Sequence, residues 1–247
     1  MFKKNFGSSV TLFSTKALSK EALHFVTEMN WSLESINMIE TRCAVSRVQI
    51  HHFLELCKKK NKKLVLIFSS VNAIKHLVDA IKHFGFEFPA GLLSVCVGKK
   101  TKHYAEVFLQ AFVLYSETNS TQLLNRLLKD FSPEYTFIYC CGNRRLAILP
   151  NGMKGSGFSI EEFVVYETVL TPATLINNYD TVLFFSPSAV DSFFGKNTWS
   201  SNVLAVSIGN STSERLGLFG VKNICEAETP GEIPMLEKLR DYLSVPH

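Results

Sequence analysis

Val182-Leu-Phe-Phe-Ser-Pro-Ser-Ala-Val-Asp-Ser-Phe-Phe194 is an apolar run that stops at small polar residues and resumes with a different period. Its four apolar residues end at Ser186, and Pro187 then fixes φ where a helix can begin. Ser188 offers a hydroxyl to the unpaired N–H groups of that first turn. Val190, Phe193 and Phe194 follow at the i, i+3, i+4 spacing of a buried helix face. The stretch therefore predicts strand, turn and helix. Val65-Leu-Ile-Phe-Ser-Ser-Val-Asn-Ala-Ile-Lys-His-Leu77 repeats the plan, running from apolar residues into Ser69, Ser70 and Asn72.

Other segments pair in the same way. Val95-Cys-Val-Gly98 matches Val206-Ser-Ile-Gly209, and Val10 to Thr15 matches Phe137 to Gly142 as a strand entering a polar turn. Ile36-Asn-Met-Ile-Glu-Thr41 matches Phe163-Val-Val-Tyr-Glu-Thr168, including the Glu-Thr pair. Strands and helices alternate between these landmarks, which implies parallel sheets with helices on both faces. The expected fold is α/β, with two similar lobes, each a parallel sheet flanked by helices. The order of the matches makes the first lobe discontinuous: residues 1–35 and 172–247 form one domain, 43–162 an inserted second domain, and 36–42 with 163–171 a two-stranded antiparallel linker. A cleft between the lobes follows from this plan, with Tyr166 on the linker.

Working outward, strands are expected at 10–13, 36–39, 64–68, 92–97, 111–115, 137–140, 163–169, 182–185, 204–208 and 221–225. Helices are expected around Ala22 and Val26, over 46–60, through Ile74 to Ile81, over 101–109, over 120–131 with Ser120 as cap, in a short piece up to Leu149, and after Pro187, Ser211 and Ile233. Pro150 with Gly152, Gly155 and Gly157 reads as a break. Lys58, Lys59, Lys60, Lys62 and Lys63 form the dense basic run, which fits a helix C-terminus better than a nucleic-acid patch because no aromatic residues are interleaved.

The 247 residues, 46% hydrophobic and 19% charged, describe a globular protein with a real core, and the net charge of +4 mildly favours an anionic partner. No apolar run reaches the roughly 18 residues of a membrane span, and Met1-Phe-Lys-Lys-Asn-Phe-Gly7 lacks a signal peptide's apolar stretch, so a cytoplasmic protein is expected. Six scattered cysteines read as reduced, buried thiols.

In a parallel sheet, ligands sit off the C-terminal strand ends, where helix N-termini present N–H groups to anions. The polar turns there are Ser14, Thr15 and Lys16; Ser69, Ser70 and Asn72; Gly98, Lys99 and Thr101; Gly142, Asn143 and Arg144; Ser186 and Ser188; and Gly209, Ser211 and Thr212. Any single turn reads first as a helix cap; the whole set favours an anion cleft. Several chemistries are set aside. Six residues separate Gly91 from Gly98 where a phosphate loop has four. No G-x-G-x-x-G follows the first strand, no G-x-S-x-G surrounds Ser69 or Ser186, and His51, His52 and Cys57 lack metal-ligand spacing. No metal and no cofactor are expected.

Taken together, Ser14-Thr-Lys16, Ile67-Phe-Ser-Ser-Val-Asn-Ala73, Cys141-Gly-Asn-Arg-Arg145, Val165-Tyr-Glu-Thr-Val169, Phe184-Phe-Ser-Pro-Ser-Ala189, Ile208-Gly-Asn-Ser-Thr212 and Ala227-Glu-Thr-Pro230 resemble the uroporphyrinogen-III synthase family over nearly the whole chain. That family has two α/β lobes joined by a two-stranded ladder. The resemblance implies a cofactor-free lyase of haem biosynthesis that closes hydroxymethylbilane with inversion of its last ring through a spiro intermediate and loss of water. It implies that Tyr166, otherwise readable as a packed strand tyrosine, assists departure of the hydroxyl. It also implies that Thr15, Lys16, Ser69, Ser70, Asn72, Gly98, Thr101, Gly142, Asn143, Ser186, Ser188, Ala189, Gly209, Ser211 and Thr212 hold the octacarboxylate substrate. A monomer is expected, with no nucleic-acid or membrane partner and at most transient contact with hydroxymethylbilane synthase. An inactive two-lobed binding or sensor module of the same fold is the alternative. Two departures bear on individual contacts: Thr15-Lys16-Ala17 stands where the family often has Thr-Arg-Pro, and Gly209-Asn-Ser-Thr212 where it often has Gly-Pro-Thr-Thr. Lysine keeps the charge but not the bidentate grip of arginine.

Overall fold

A computed structural model describes residues 10–58 and 63–244; Lys59, Lys60 and Lys62 of the basic run lie outside them. The chain divides into two units, Met1–Glu40 with Val169–His247, and Thr41–Thr168. One unit is thus built from both ends of the chain, with the other inserted into it.

The discontinuous unit contains β1 (Thr11–Ser14), α1 (Lys20–Glu28) and β2 (Ser32–Ser35), then β9 (Thr181–Phe184), α7 (Pro187–Phe194), β10 (Leu204–Ser207), α8 (Asn210–Leu218), β11 (Ile224–Glu226) and α9 (Glu232–Ser244). The inserted unit contains α2 (Arg47–Lys58), β4 (Leu64–Phe68), α3 (Val71–His83), β5 (Leu93–Val97), α4 (Lys99–Phe108), β6 (Phe112–Glu117), α5 (Ser120–Asp130), β7 (Thr136–Gly142) and α6 (Ile148–Gly155). Two strands, β3 (Ile39–Cys43) and β8 (Ser159–Leu170), carry the chain from one unit to the other and back.

Among the described residues the strand orders are β11-β10-β9-β1-β2 and β3-β8-β7-β4-β5-β6. Laid side by side, β10, β9 and β1 correspond to β5, β4 and β7, the same pairs that the sequence repeats match. Each of these neighbours is parallel. The exception is β3 against β8. Ala44 N–H donates to Val165 O and Thr171 N–H to Met38 O, so one strand advances as the other retreats. The alignment that sets Ile36 on Phe163 also sets Met38 on Val165, and both are fully buried.

The strands are continuously apolar because both faces of each sheet are covered. In β4, Val65 and Ile67 face Leu123, Leu127 and Met153 of α5 and α6, while Leu66 and Phe68 face Ile50, Phe53, Ile74 and Leu77 of α2 and α3. In the other unit, Leu12 and Leu183 face α1 and α9, while Phe13, Val182 and Phe184 face α7 and α8.

Several expectations are corrected. β2 is a strand that periodicity misses: Ser32-Leu-Glu-Ser35 lies at a sheet edge, paired only with β1 among the described residues, so it needs no apolar alternation. The strand expected at 36–39 begins at Ile39 instead. α6 is not broken by the glycines: Pro150 is its third residue, where a missing N–H costs nothing, and a Cβ on Gly152 would stand 2.2 Å from Leu124 of α5. β11 starts three residues later than expected. Ser186, not Ser188, caps α7, accepting from Ala189 N–H at 3.1 Å. Cys43 is exposed; the other five cysteines are buried, and all six are free.

The cap of α5 is Asn119 rather than Ser120, with Asn119 Oδ1 accepting from Gln122 N–H at 2.9 Å. Asn119→Ala should therefore lower unfolding free energy by about 0.5–2 kcal/mol in denaturant titration, and Ser120→Ala by much less. The reverse order would return the cap to Ser120.

Candidate functional site

All parallel strands in a unit point the same way, so the turns that follow them share one edge. In the inserted unit that edge carries the turns after β4, β5 and β7 together with Tyr166 of β8.

The register between β7 and β8 slips there: Cys141 pairs with Val164, but Gly142 pairs with Tyr166. Val165 is the extra residue. Strict alternation would put Val165 and Tyr166 on opposite faces, yet both pack against the same apolar core, as does Phe163. The bulge thus brings the phenol round over Gly142. A Cβ at Gly142 would lie 2.5 Å from Tyr166 Cζ, so glycine is required by the close approach of the ring rather than by backbone conformation. Asn143 fastens the arrangement: its N–H donates to Tyr166 O at 3.1 Å and its Oδ1 accepts from Thr168 N–H at 2.9 Å.

Tyr166 is half-buried, and its hydroxyl donates to Ser70 Oγ at 3.4 Å. Ser70 is the cap of α3, accepting also from Asn72 N–H at 3.1 Å. The His76 ring lies nearly parallel to the Tyr166 ring, 5.5 Å between centroids and 16° apart, and its Nε2 is 2.9 Å from Thr41 Oγ1. Ser69 Oγ is 2.6 Å from the Tyr139 hydroxyl. Burial raises the Tyr166 phenol above its ordinary value, opposed in part by the Ser70 contact. Burial likewise pushes Tyr139 up to about 12. Both phenols stay protonated through neutral pH, so Tyr166 is a hydrogen-bond donor and not a base.

α4 opens differently. Its cap, Gly98, has φ 84° and supplies no side chain, and the first turn holds no acidic residue. Lys99, Lys100 and Lys102 occupy that turn instead, where the helix dipole disfavours cations by roughly 0.3–1 kcal/mol each. An anion at this turn would answer both the uncapped N–H groups and the lysines. In the other unit α8 opens at Gly209, again with no side-chain cap.

The other residues marked in the sequence lie at strand-end turns of their own units, some buried and some exposed. The Thr15 hydroxyl is buried and donates to Leu183 O at 2.8 Å, tying β1 to β9. Thr101 and Thr212, each three residues after a capping glycine, are buried. Lys16 pairs with Glu232 and lies 4.6 Å over the Phe185 ring. Burial pushes the Glu232 carboxyl up, but hydrogen bonds from Lys16 and Ser19 outweigh this and hold it below the usual carboxylate range. Ser186 and Ser188 are half-buried, Ala189 is buried, and Ser211 and Asn72 are exposed. His76, Thr41 and Tyr139 were missed in the sequence. Only His76 left a signal, standing four residues after Asn72 and so on the same helix face.

Two repeated α/β units, each with one strand-end helix capped by a serine and one opened at a glycine without a side-chain cap, define a duplicated parallel α/β protein. The family model for uroporphyrinogen-III synthase HemD matches residues 29–237, and the chain belongs to that family. Among solved structures, a mutant uroporphyrinogen III synthase from the extreme thermophile Thermus thermophilus is similar at 17% identity and a TM-score of 0.65, over 95% of this chain and 99% of that one. Uroporphyrinogen-III synthetase from Helicobacter pylori is similar at 15% identity and a TM-score of 0.62, over 95% and 100%. The wild-type Thermus protein is similar at 16% identity and a TM-score of 0.51, over 96% and 100%. These likenesses bear out the α/β fold; the family match bears out the resemblance read in the sequence.

Gly142→Ala should force the Tyr166 ring off its seat and lower catalytic turnover about 10-fold or more, with the far-UV circular dichroism unchanged. Wild-type turnover in that variant would show that the ring's position over Gly142 does not matter.

Proposed function

We propose that the chain is a cyclising lyase that converts hydroxymethylbilane to uroporphyrinogen III, with loss of water and inversion of the last pyrrole ring, in the cytoplasm. The observation that carries this reading is the seat of Tyr166, a neutral phenol held at a strand bulge beside capped and uncapped helix ends, in a chain of the uroporphyrinogen-III synthase family.

The substrate is an octacarboxylate. Backbone N–H groups at the first turns of α4 and α8, with Lys99 and Lys100 beside the former, supply carboxylate donors that need no large set of arginines. Ser70, already oriented by its role as cap, keeps the Tyr166 hydroxyl aimed.

The reaction begins as the C–O bond of the terminal hydroxymethyl group breaks. Tyr166 donates its hydrogen bond to the departing oxygen, which leaves as water once it has gained a proton. The electrons of the adjacent pyrrole nitrogen stabilise the resulting cation. The already substituted carbon of the last ring attacks this carbon to form the spiro intermediate; one older C–C bond then breaks, the ring turns over, closure occurs at the other carbon, and a proton is lost. An ordinary phenol has a pKa near ~10, and this one is held higher, so it is a weak acid. Most of the acceleration then comes from holding the substrate's two ends in reactive geometry.

The test is product analysis. Incubated with hydroxymethylbilane, the chain should yield the type III isomer, and Tyr166→Phe should do so at least about tenfold more slowly. Type I product alone, the result of unassisted closure, would overturn the reading; type III formed at an undiminished rate by Tyr166→Phe would remove Tyr166 from the mechanism.

A further inference from the structure

We infer that His76 is a positioning residue for Tyr166: its imidazole forms a flat wall against the phenol and is itself fixed by Thr41, so that α3 holds Tyr166 at both its hydroxyl and its ring. The inference rests on the proposed role of Tyr166 at the departing hydroxyl.

Three contacts converge on the phenol. Ser70, at the start of α3, accepts the hydroxyl at 3.4 Å. His76, in the second turn of the same helix, lies 5.5 Å from the ring centroid at 16°. Gly142 leaves the ring its space on β7. Because the two α3 contacts belong to one rigid helix, the direction of the hydroxyl and the plane of the ring are set together. A phenol held only by Ser70 could still swing about that bond.

The choice of histidine has its own logic. One face of the ring is apolar and covers Tyr166, while its edge reaches the Thr41 hydroxyl at 2.9 Å on β3. Phenylalanine would cover the phenol but leave Thr41 without this partner; leucine would fill the space without a flat face. Burial lowers the His76 pKa, opposed by Asp79 and assisted by Lys75 on the same helix, so the imidazole is neutral at physiological pH and sets no cation against the phenol. The two rings lie nearly parallel and offset, 5.5 Å between centroids, so His76 acts on Tyr166 through ring packing.

A double-mutant cycle tests this, using Tyr166→Phe, His76→Ala and the pair, with hydroxymethylbilane as substrate. His76→Ala should lower kcat about 3- to 10-fold, with KM changed less than about twofold, and should cause no further loss in the Tyr166→Phe background. His76→Phe should recover most of kcat, while His76→Leu should behave like His76→Ala and keeps the test open should the alanine variant fail to fold. Wild-type kcat in His76→Leu, or the same fold-loss from His76→Ala with and without the Tyr166 hydroxyl, would overturn the inference while a slow Tyr166→Phe left the role of Tyr166 standing. A wild-type rate in Tyr166→Phe would instead remove the reading on which the inference depends.

Discussion

The close approach of the Tyr166 ring to Gly142 constrains everything around it. A strand that alternated regularly would bury Val165 and turn Tyr166 to the other side; the one-residue slip between Cys141 and Gly142 brings both to one face. The ring can then lie over the strand end only because the residue beneath it has no side chain. Its hydroxyl reaches α3, whose cap would be needed for the helix in any case, so a single serine serves both the fold and the site. Ser70 thus ties the start of α3 to the direction of the phenol hydroxyl.

The duplication distributes roles between the two units without copying them. Each has a serine-capped helix, α3 and α7, and a glycine-opened helix, α4 and α8, after equivalent strands. Each serine cap takes one first-turn N–H of its own helix, that of Asn72 or Ala189, whereas the glycine-opened turns have no side-chain acceptor for theirs. Lysines at the start of α4 are unfavourable for an isolated helix and sensible for one that meets carboxylates. In the discontinuous unit the corresponding cation is Lys16, held against Glu232.

Much of the fold was legible because the central strands are apolar on both faces and end at turn residues: β4 and β9 stand out as apolar runs closed by serines, β5 and β10 by glycines, and the helical spacing that follows β4 and β9 completes the unit. Edge elements were not legible for the opposite reason. Among the described residues β2 is paired on one side only, so Ser32 and Glu34 carry no pattern to read. The glycines of α6 looked like a break because the Leu124 side chain that makes Gly152 necessary comes from another helix. At the site, Tyr166 and the serine turns were visible as residue types at strand ends. The bulge that aims Tyr166 was hidden, since a register slip is a property of two strands together. Thr15, Thr101 and Thr212 were visible too, but their burial, which turns them toward packing, is set by neighbours distant in sequence.

In the proposed function, substrate carboxylates are held by the helix ends at the C-terminal edges of the sheets. Titrating the full chain with uroporphyrinogen III under reducing, oxygen-free conditions, with backbone amide NMR as readout, tests it most directly. The largest shifts should fall on the first turns of α4 and α8, at Lys99, Lys100, Thr101, Ser211 and Thr212. A different hollow exists at the opposite edge of the discontinuous unit's sheet, a cavity of about 660 Å³ bounded by Asn177, Asp180, Lys196 and Trp199 among others. Shifts concentrated there, with the first turns of α4 and α8 unmoved, would rule out carboxylate binding at these helix ends.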